Sequence, residues 1–244
     1  MIRSNPSFAK AAGSAAVALV LAACSSGQKQ TEAPTQQERS DVLGRLDGAT
    51  QLIGEFRQQI PDDVANRAQC VVVLPGLKKG GVVVGGVGGK GFASCYSNGS
   101  WSPPAPLNVG GGTLGAQLGF QATDVIALMT SSRAVQALDS GNFKIGGSLN
   151  ATAGPVGTGR GAAGDVTVTS DIVSYSKSSG LFAGATLDGT SVSYDDSAAM
   201  ALYGSAPSMA SILERNANVQ EPPSAMRFRA ALQSSFVPAA IGVR

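Results

Sequence analysis

From Cys70 onward the chain abandons helical spacing. Apolar residues come in short β-branched runs broken by glycine: CVVVLPG, KKGGVVVGG and KGFASCYSNGSW, then NVGGGTLGAQLGFQ, DVIALMT, NFKIGGSLNATAG, DVTVTSDIVSYS and GLFAGATLDGTSVSYD. Such runs read as strands. Between residues 70 and 194 there is no repeated helical pattern of about 10–15 residues, which a parallel βαβ sheet needs for its crossovers. The pattern therefore predicts an α+β fold: an antiparallel, strongly curled or barrel-like sheet with flanking short helices. Ser97-Asn98-Gly99 predicts one tight hairpin. Asp188-Gly189 predicts another, joining LFAGATL to TSVSYD, with Phe182, Leu187, Val192 and Tyr194 as its apolar set.

Upstream, Val42, Leu46, Ala49, Ile53, Phe56 and Ile60 recur at steps of four and three, which predicts a helix capped by Ser40 or Asp41 and stopped by Pro61. Its charges are Asp41, Arg45, Asp47, Glu55 and Arg57. With no basic flank to draw it to an anionic surface, its apolar stripe is expected to pack on the body. Short helices are also expected at 132–138, 196–203, 207–216 and 224–236, punctuated by Gly204, Pro207 and the pair Pro222-Pro223.

The stretch KKGGVVVGGVGGKG, residues 78 to 91, contains G-x-G-x-x-G at Gly86 to Gly91. A dinucleotide site needs a helix directly after those glycines and an acid about twenty residues on. Here FASCYSNGSW follows, and the first acid beyond is Asp124. A Walker A loop fails too, because Lys90 precedes Gly91 and the opening position is Val84. The glycines are therefore expected to serve close backbone packing or a bulge, and no nucleotide or other cofactor is expected.

Catalysis has little to work with. The chain has no histidine, which removes Ser-His-Asp, Cys-His and zinc-histidine sites. Ser174 and Lys177 match S-x-x-K, but in an extended segment without the accompanying motifs. Asp195-Asp196 reads as a helix cap rather than an acid/base pair, and no calcium loop occurs. The chain is read as non-enzymatic, with no metal site.

The first residues carry Arg3 and Lys10, then the apolar run AAGSAAVALVLAAC, a leader too short for a comfortable membrane span. Leu21-Ala22-Ala23-Cys24 resembles the bacterial lipobox, which implies cleavage before Cys24 and its lipidation. Ser25 after the cysteine favours the outer membrane by the same resemblance, so the expected location is the bacterial cell envelope, lipid-anchored on the periplasmic face. Without Arg3 and Lys10 the remaining Lys and Arg equal the 16 acidic residues, so the net charge of +2 is no argument for nucleic acid. The expected domains are a signal peptide at 1–23, lipidated Cys24 with a flexible polar tether at 24–40, a folded domain at 41–205 and a C-terminal helical extension at 206–244 packed on it. Cys70 and Cys95 are compatible with a disulfide in an oxidising envelope and equally with two separately buried thiols.

Several ordered motifs carry a family resemblance: LPGLKKGGVVVGGVGGKGFASCYSNGSWSPPAPLNVGGGTLGAQLGFQ, then AGPVG at 153 to 157, SYSKSSGLFAGATLDGT from 174 and LYG at 202 to 204. Across about residues 40 to 205 the chain resembles the SYLF domain, the Ysc84 or DUF500 type of lipid-binding module. The resemblance implies membrane-lipid binding, with a phospholipid membrane as partner. Eukaryotic members are associated with phosphoinositides or phosphatidic acid and with actin regulation, through basic residues near the N-terminal helix. That helix is not basic here. Lys78, Lys79 and Lys90 are then the nearest candidates for lipid headgroups, with Lys177 a more distant one, and Trp101 is either a membrane-interface residue or a cap on the core. The alternative is a structural lipoprotein whose body holds an envelope protein partner.

Overall fold

The computed structural model describes residues 33–81, 84–114, 119–146, 149–155, 170–184, 187 and 189–238. The expected leader and Cys24 lie outside these residues. So does Asp188, one of the two residues of the second expected hairpin turn.

Helix α1 (Gln36–Arg57) starts earlier than its apolar stripe suggests. Thr35, not Ser40 or Asp41, is the cap. Its hydroxyl accepts the Glu38 N–H at 3.2 Å, while the Glu38 carboxylate accepts the Thr35 N–H at 2.8 Å. This reciprocal box satisfies two donors at the helix start, so a polar first turn is helical without any core contact of its own. Val42, Leu46, Ala49, Leu52, Ile53 and Phe56 face the core, each large one contributing about 1.5–3 kcal/mol by burial. The helix ends at Arg57, and Ile60 is buried just beyond it rather than within it. A short α2 (Asp62–Ala65) leads into the sheet.

The strands are β1 (Cys70–Gly81), β2 (Val84–Ser97), β3 (Ser100–Trp101), β4 (Ala105–Leu114), β5 (Gly119–Met129), β6 (Asn142–Lys144), β7 (Ala151–Ala153), β8 (Ile172–Ser178), β9 (Leu181–Gly184) and β10 (Thr190–Tyr194). Helix α3 (Ser132–Asp139) falls between β5 and β6, and α4 (Asp196–Tyr203), α5 (Met209–Leu213) and α6 (Pro223–Ser235) follow β10. The strands join in the order β6-β10-β4-β2-β1-β5-β8-β7, with β3 on β2 and β9 on β8. The result is a strongly curled half-barrel, antiparallel except for β7 beside β8, with helices flanking it.

Paired residues share a face of a sheet, as do alternate residues along a strand. One face carries Val73, Phe92, Ile126 and Tyr175, placed together by the pairs Val73↔Phe92, Val73↔Ile126 and Ile126↔Tyr175. This is the helix face: the Phe92 ring lies 6.2 Å from that of Phe228 on α6, and α1 packs on α6 and on β1. The far face carries Val72, Ala93, Leu107, Val109, Val125 and Ala127, all buried, and α5 packs on β2 and β4.

Two expectations about the strands change as well. CVVVLPG and KKGG form a single strand, because Leu-Pro-Gly is not a turn but a bulge: the register of β1 shifts between Leu74 and Leu77 against β5 and between Val73 and Lys78 against β2. Gly76 is left-handed at φ +60, and its N–H donates to Asp124 Oδ1 at 2.9 Å. The second hairpin also differs: β9 pairs with β8, and β10 pairs with β4 and β6. Ser179 and Gly180, at φ 48 and 82, supply the two left-handed residues a tight hairpin needs, which folds LFAG back onto β8 instead of forward onto TSVSY. The Asn98-Gly99 hairpin forms as expected, with φ values of 50 and 82.

The bulge explains part of the glycine run. A Cβ on Gly91 would stand 2.1 Å from the Val73 carbonyl oxygen, and one on Gly89 would stand 2.8 Å from Leu77 Cδ1. Gly86, Gly88, Gly110 and Gly112 differ, since a Cβ there meets nothing closer than 3.8 Å. Gly91→Ala is therefore expected to lose about 3 kcal/mol of unfolding free energy, whereas Gly86→Ala is expected to be neutral or to gain up to about 1 kcal/mol. Urea unfolding of the two variants checks this; equal midpoints would contradict the assigned bulge contact.

Candidate functional site

The bulge decides where the lysines point. It inserts one residue between Val73 and Lys78, so the two share the helix face although their numbers differ in parity. Lys78 pairs with Gly88 and Ala122; Gly88 and Lys90 are alternate residues of β2. Lys177 pairs with Asp124, two residues on from Ala122. Lys78, Lys90 and Lys177 thus occupy the helix face. Lys79, paired with Val87 and Gln121, occupies the far face, so the four expected headgroup lysines are not one cluster.

Two of them are engaged. Lys90 Nζ lies 2.5 Å from Asp195 Oδ2, and Asp195, itself buried, also caps α4 by accepting the Ala198 N–H at 3.0 Å. Lys177 pairs with Glu55 of α1. These contacts tie helices to the sheet, so both lysines are structural in the folded chain. Lys78 is exposed and Lys79 half-buried, and among the described residues neither makes an ion pair or a side-chain hydrogen bond.

A fifth lysine was not distinguished by its sequence context. Lys144, exposed at the end of the three-residue β6, pairs with Ser191, which pairs with Gly110, which pairs with Gly88. It therefore stands on the same face and in the same cross-strand row as Lys78. Only the non-local pairing of β6 with β10 and β10 with β4 brings the two together.

Trp101 is not a membrane-interface residue. It is 1% exposed, its Nε1–H donates to the Phe236 carbonyl at 2.9 Å, and its ring meets Tyr96 and Phe236 edge-on at 5.5 and 6.4 Å. Its own carbonyl accepts from Arg229 Nε at 3.0 Å, and Arg229 is bridged to Glu221. The following Ser102 is equally committed: its Oγ accepts the Cys95 N–H at 3.1 Å, and its carbonyl accepts from Ser94 Oγ at 2.7 Å. Both polar and apolar parts of the indole are satisfied inside the protein, so nothing is left for a bilayer. Outside this knot a groove of about 350 Å³ runs between Gly99-Ser100 and the Met226, Ala230 and Gln233 side of α6.

Cys70 and Cys95 are directly paired across β1 and β2 and form a disulfide, buried at 0% and 7% exposure. No group of three or more metal-ligating side chains occurs among the described residues. The phenols of Tyr175 and Tyr203 are pushed up, first by burial and then by the nearby Asp63 and Glu221 respectively, so both stay protonated at neutral pH. Tyr203 uses its proton to hold the Pro104 carbonyl at 2.6 Å. No helix among the described residues is long and apolar enough to cross a membrane.

Comparison with known proteins places this architecture. A family model, Ysc84, described as Las17-binding protein actin regulator, matches residues 110–235, from β4 through α6. Protein YSC84 of Saccharomyces cerevisiae is 30% identical over 171 residues, 69% of this chain and 36% of the yeast protein. LAS seventeen-binding protein 3 of the same yeast is 30% identical over 150 residues, 60% of this chain and 33% of its own. SH3 domain-containing YSC84-like protein 1 of Xenopus laevis is 34% identical over 134 residues, 54% of this chain and 39% of the frog protein. The chain thus spans between 33% and 39% of the length of these three relatives.

Loss of the Trp101 knot is expected to loosen α6 from the sheet. Trp101→Ala should lower unfolding free energy by about 3–5 kcal/mol, and Cys70→Ser with Cys95→Ser by about 3 kcal/mol. Denaturant titrations with and without reductant would check both, the double-serine protein being expected to ignore the reductant. A Trp101→Ala protein as stable as the parent would contradict the buried role.

Proposed function

The chain belongs to the Ysc84 family, and from that membership we propose that it is a non-catalytic, lipid-binding envelope lipoprotein, tethered through Cys24 and touching phospholipid with its folded body. The observation that carries the reading is exposed Lys78, without an ion pair or side-chain hydrogen bond among the described residues, on a glycine-bordered part of the sheet. A cation so placed breaks no ion pair among the described residues when it meets an anionic surface, so the attraction is not offset by a lost partner. The buried Cys70–Cys95 disulfide supports maturation in an oxidising compartment, which agrees with the lipobox-like Leu21-Ala22-Ala23-Cys24. With no histidine in the sequence, triad and zinc-histidine chemistry are out of reach.

A second reading rests on the relatives' names. Those described as binding Las17 favour a protein-binding body, for which the acyl anchor would only set location. Vesicle flotation separates the two. The segment Ala33–Arg244 forms one compact unit and can be tested without the expected anchor. It is expected to float with phosphatidylglycerol-containing vesicles, less so as salt rises, because charge attraction is screened beyond about 8–10 Å at physiological ionic strength. Absence of flotation at every salt concentration favours the protein-binding alternative. Independently, the full chain expressed in a bacterium should incorporate labelled palmitate, and Cys24→Ala should abolish incorporation; label retained in Cys24→Ala would remove the anchor from the proposal.

A further inference from the structure

We propose that the membrane-contacting surface is the helix face of the sheet beyond the reach of its helices, centred on the row Lys144-Ser191-Gly110-Gly88-Lys78, and that its occupant is the anionic headgroup layer of a phospholipid bilayer. The inference rests on the lipid-binding reading above and specifies where that contact is made. Five strands contribute one residue each to the row, through the pairs Lys144↔Ser191, Ser191↔Gly110, Gly110↔Gly88 and Gly88↔Lys78. Its two lysines are separated by four strand spacings, roughly 19 Å along the sheet. Both are exposed, and among the described residues neither has an ion pair or a side-chain hydrogen bond.

Between the lysines the row carries one hydroxymethyl group and two hydrogens. Within the row, no side chain larger than that of Ser191 stands between the two ammonium groups to hold a flat, phosphate-bearing surface away from them. The neighbouring positions on the same face are Gly86 and Gly112 on one side, and Lys90, Asn108 and Ser193 on the other, so neither flank adds a carboxylate. Among the described residues, the carboxylates on the neighbouring strands are engaged: Asp195 is ion-paired with Lys90, and Asp124 accepts the Gly76 N–H while keeping its charge. Packing among the described residues does not demand these glycines, since a Cβ on Gly86, Gly88, Gly110 or Gly112 would meet nothing there closer than 3.8 Å. Close approach from outside is a reason for glycine that the fold itself does not supply.

Lys79 provides the internal control. It is the chain neighbour of Lys78 and carries the same charge, yet lies on the opposite face, paired with Val87. A bilayer lying on the row meets Lys78 and Lys144 together; a non-specific attraction that reads only net charge treats all three lysines alike.

The test is flotation of the 33–244 body with phosphatidylethanolamine vesicles containing phosphatidylglycerol. Neutralising one row lysine should lower partition about fivefold, so Lys78→Gln with Lys144→Gln should lower it about 25-fold, while Lys78→Arg with Lys144→Arg should restore it. Lys79→Gln should change partition less than twofold on the same scale. Unchanged thermal unfolding midpoints confirm that each variant is folded. If the parent body floats but the double glutamine variant floats equally well, or Lys79→Gln loses as much as Lys78→Gln, this surface is wrong and the lipid-binding reading survives. If the parent body does not float at all, that reading falls and this surface falls with it.

Discussion

The single extra residue in β1 governs what the sheet presents on either side. At the bulge the Val73 carbonyl and the Leu74 and Leu77 side chains crowd toward β2, and β2 accepts them only because Gly89 and Gly91 have no Cβ. Asp124 completes the arrangement by taking the Gly76 N–H that the bulge withdraws from the ladder. Downstream of it the facing of every β1 residue is inverted relative to an unbroken strand. Lys78, which would otherwise turn toward the buried far face, stands on the helix face, and Leu77 fills the core instead.

The remainder of the architecture follows from burying both faces of one half of the sheet while leaving part of the other half uncovered. Helices α1 and α6 cover the end bearing Val73 and Phe92 and are held there by polar contacts as well as packing: Glu55 to Lys177, Arg57 to the Ser235 carbonyl, Asp47 to Arg227, and the Trp101 indole to the Phe236 carbonyl. At the β4–β10 pairing, glycine at Gly111 lets the Gly189 carbonyl approach to within 2.8 Å of where a Cβ would stand. The same strands that need glycine for packing at some positions carry it, at alternate ones, on the face left open.

Much of this was legible from local pattern. The strand-rich region, the Asn98-Gly99 hairpin, the Asp195 cap and the short helices after residue 195 are each specified by neighbours within a few residues, which is the range over which backbone preference acts. The strand expectations changed where a local signal met a competing pairing. Asp188-Gly189 is a good turn by sequence, but Ser179-Gly180 directly precedes the segment Leu181–Gly184 and turns it back onto β8. Leu-Pro-Gly reads as a break, yet tertiary pairing on both sides carries the strand through it.

The sequence by itself determined the class of fold, the absence of histidine chemistry and the failure of the glycine run as a nucleotide loop, because residue type and spacing along one chain are sufficient for those conclusions. It named Lys78, Lys79, Lys90 and Lys177 without being able to sort them. Tertiary structure alone decided that Lys90 and Lys177 are spent on Asp195 and Glu55, that Trp101 is interior, that Cys70 faces Cys95, and that Lys144 shares a row with Lys78. Each of those facts depends on strand register or on a helix laid across the sheet. Register between residues far apart in the chain is set by the competition of all pairings at once, and no local stretch of sequence contains it.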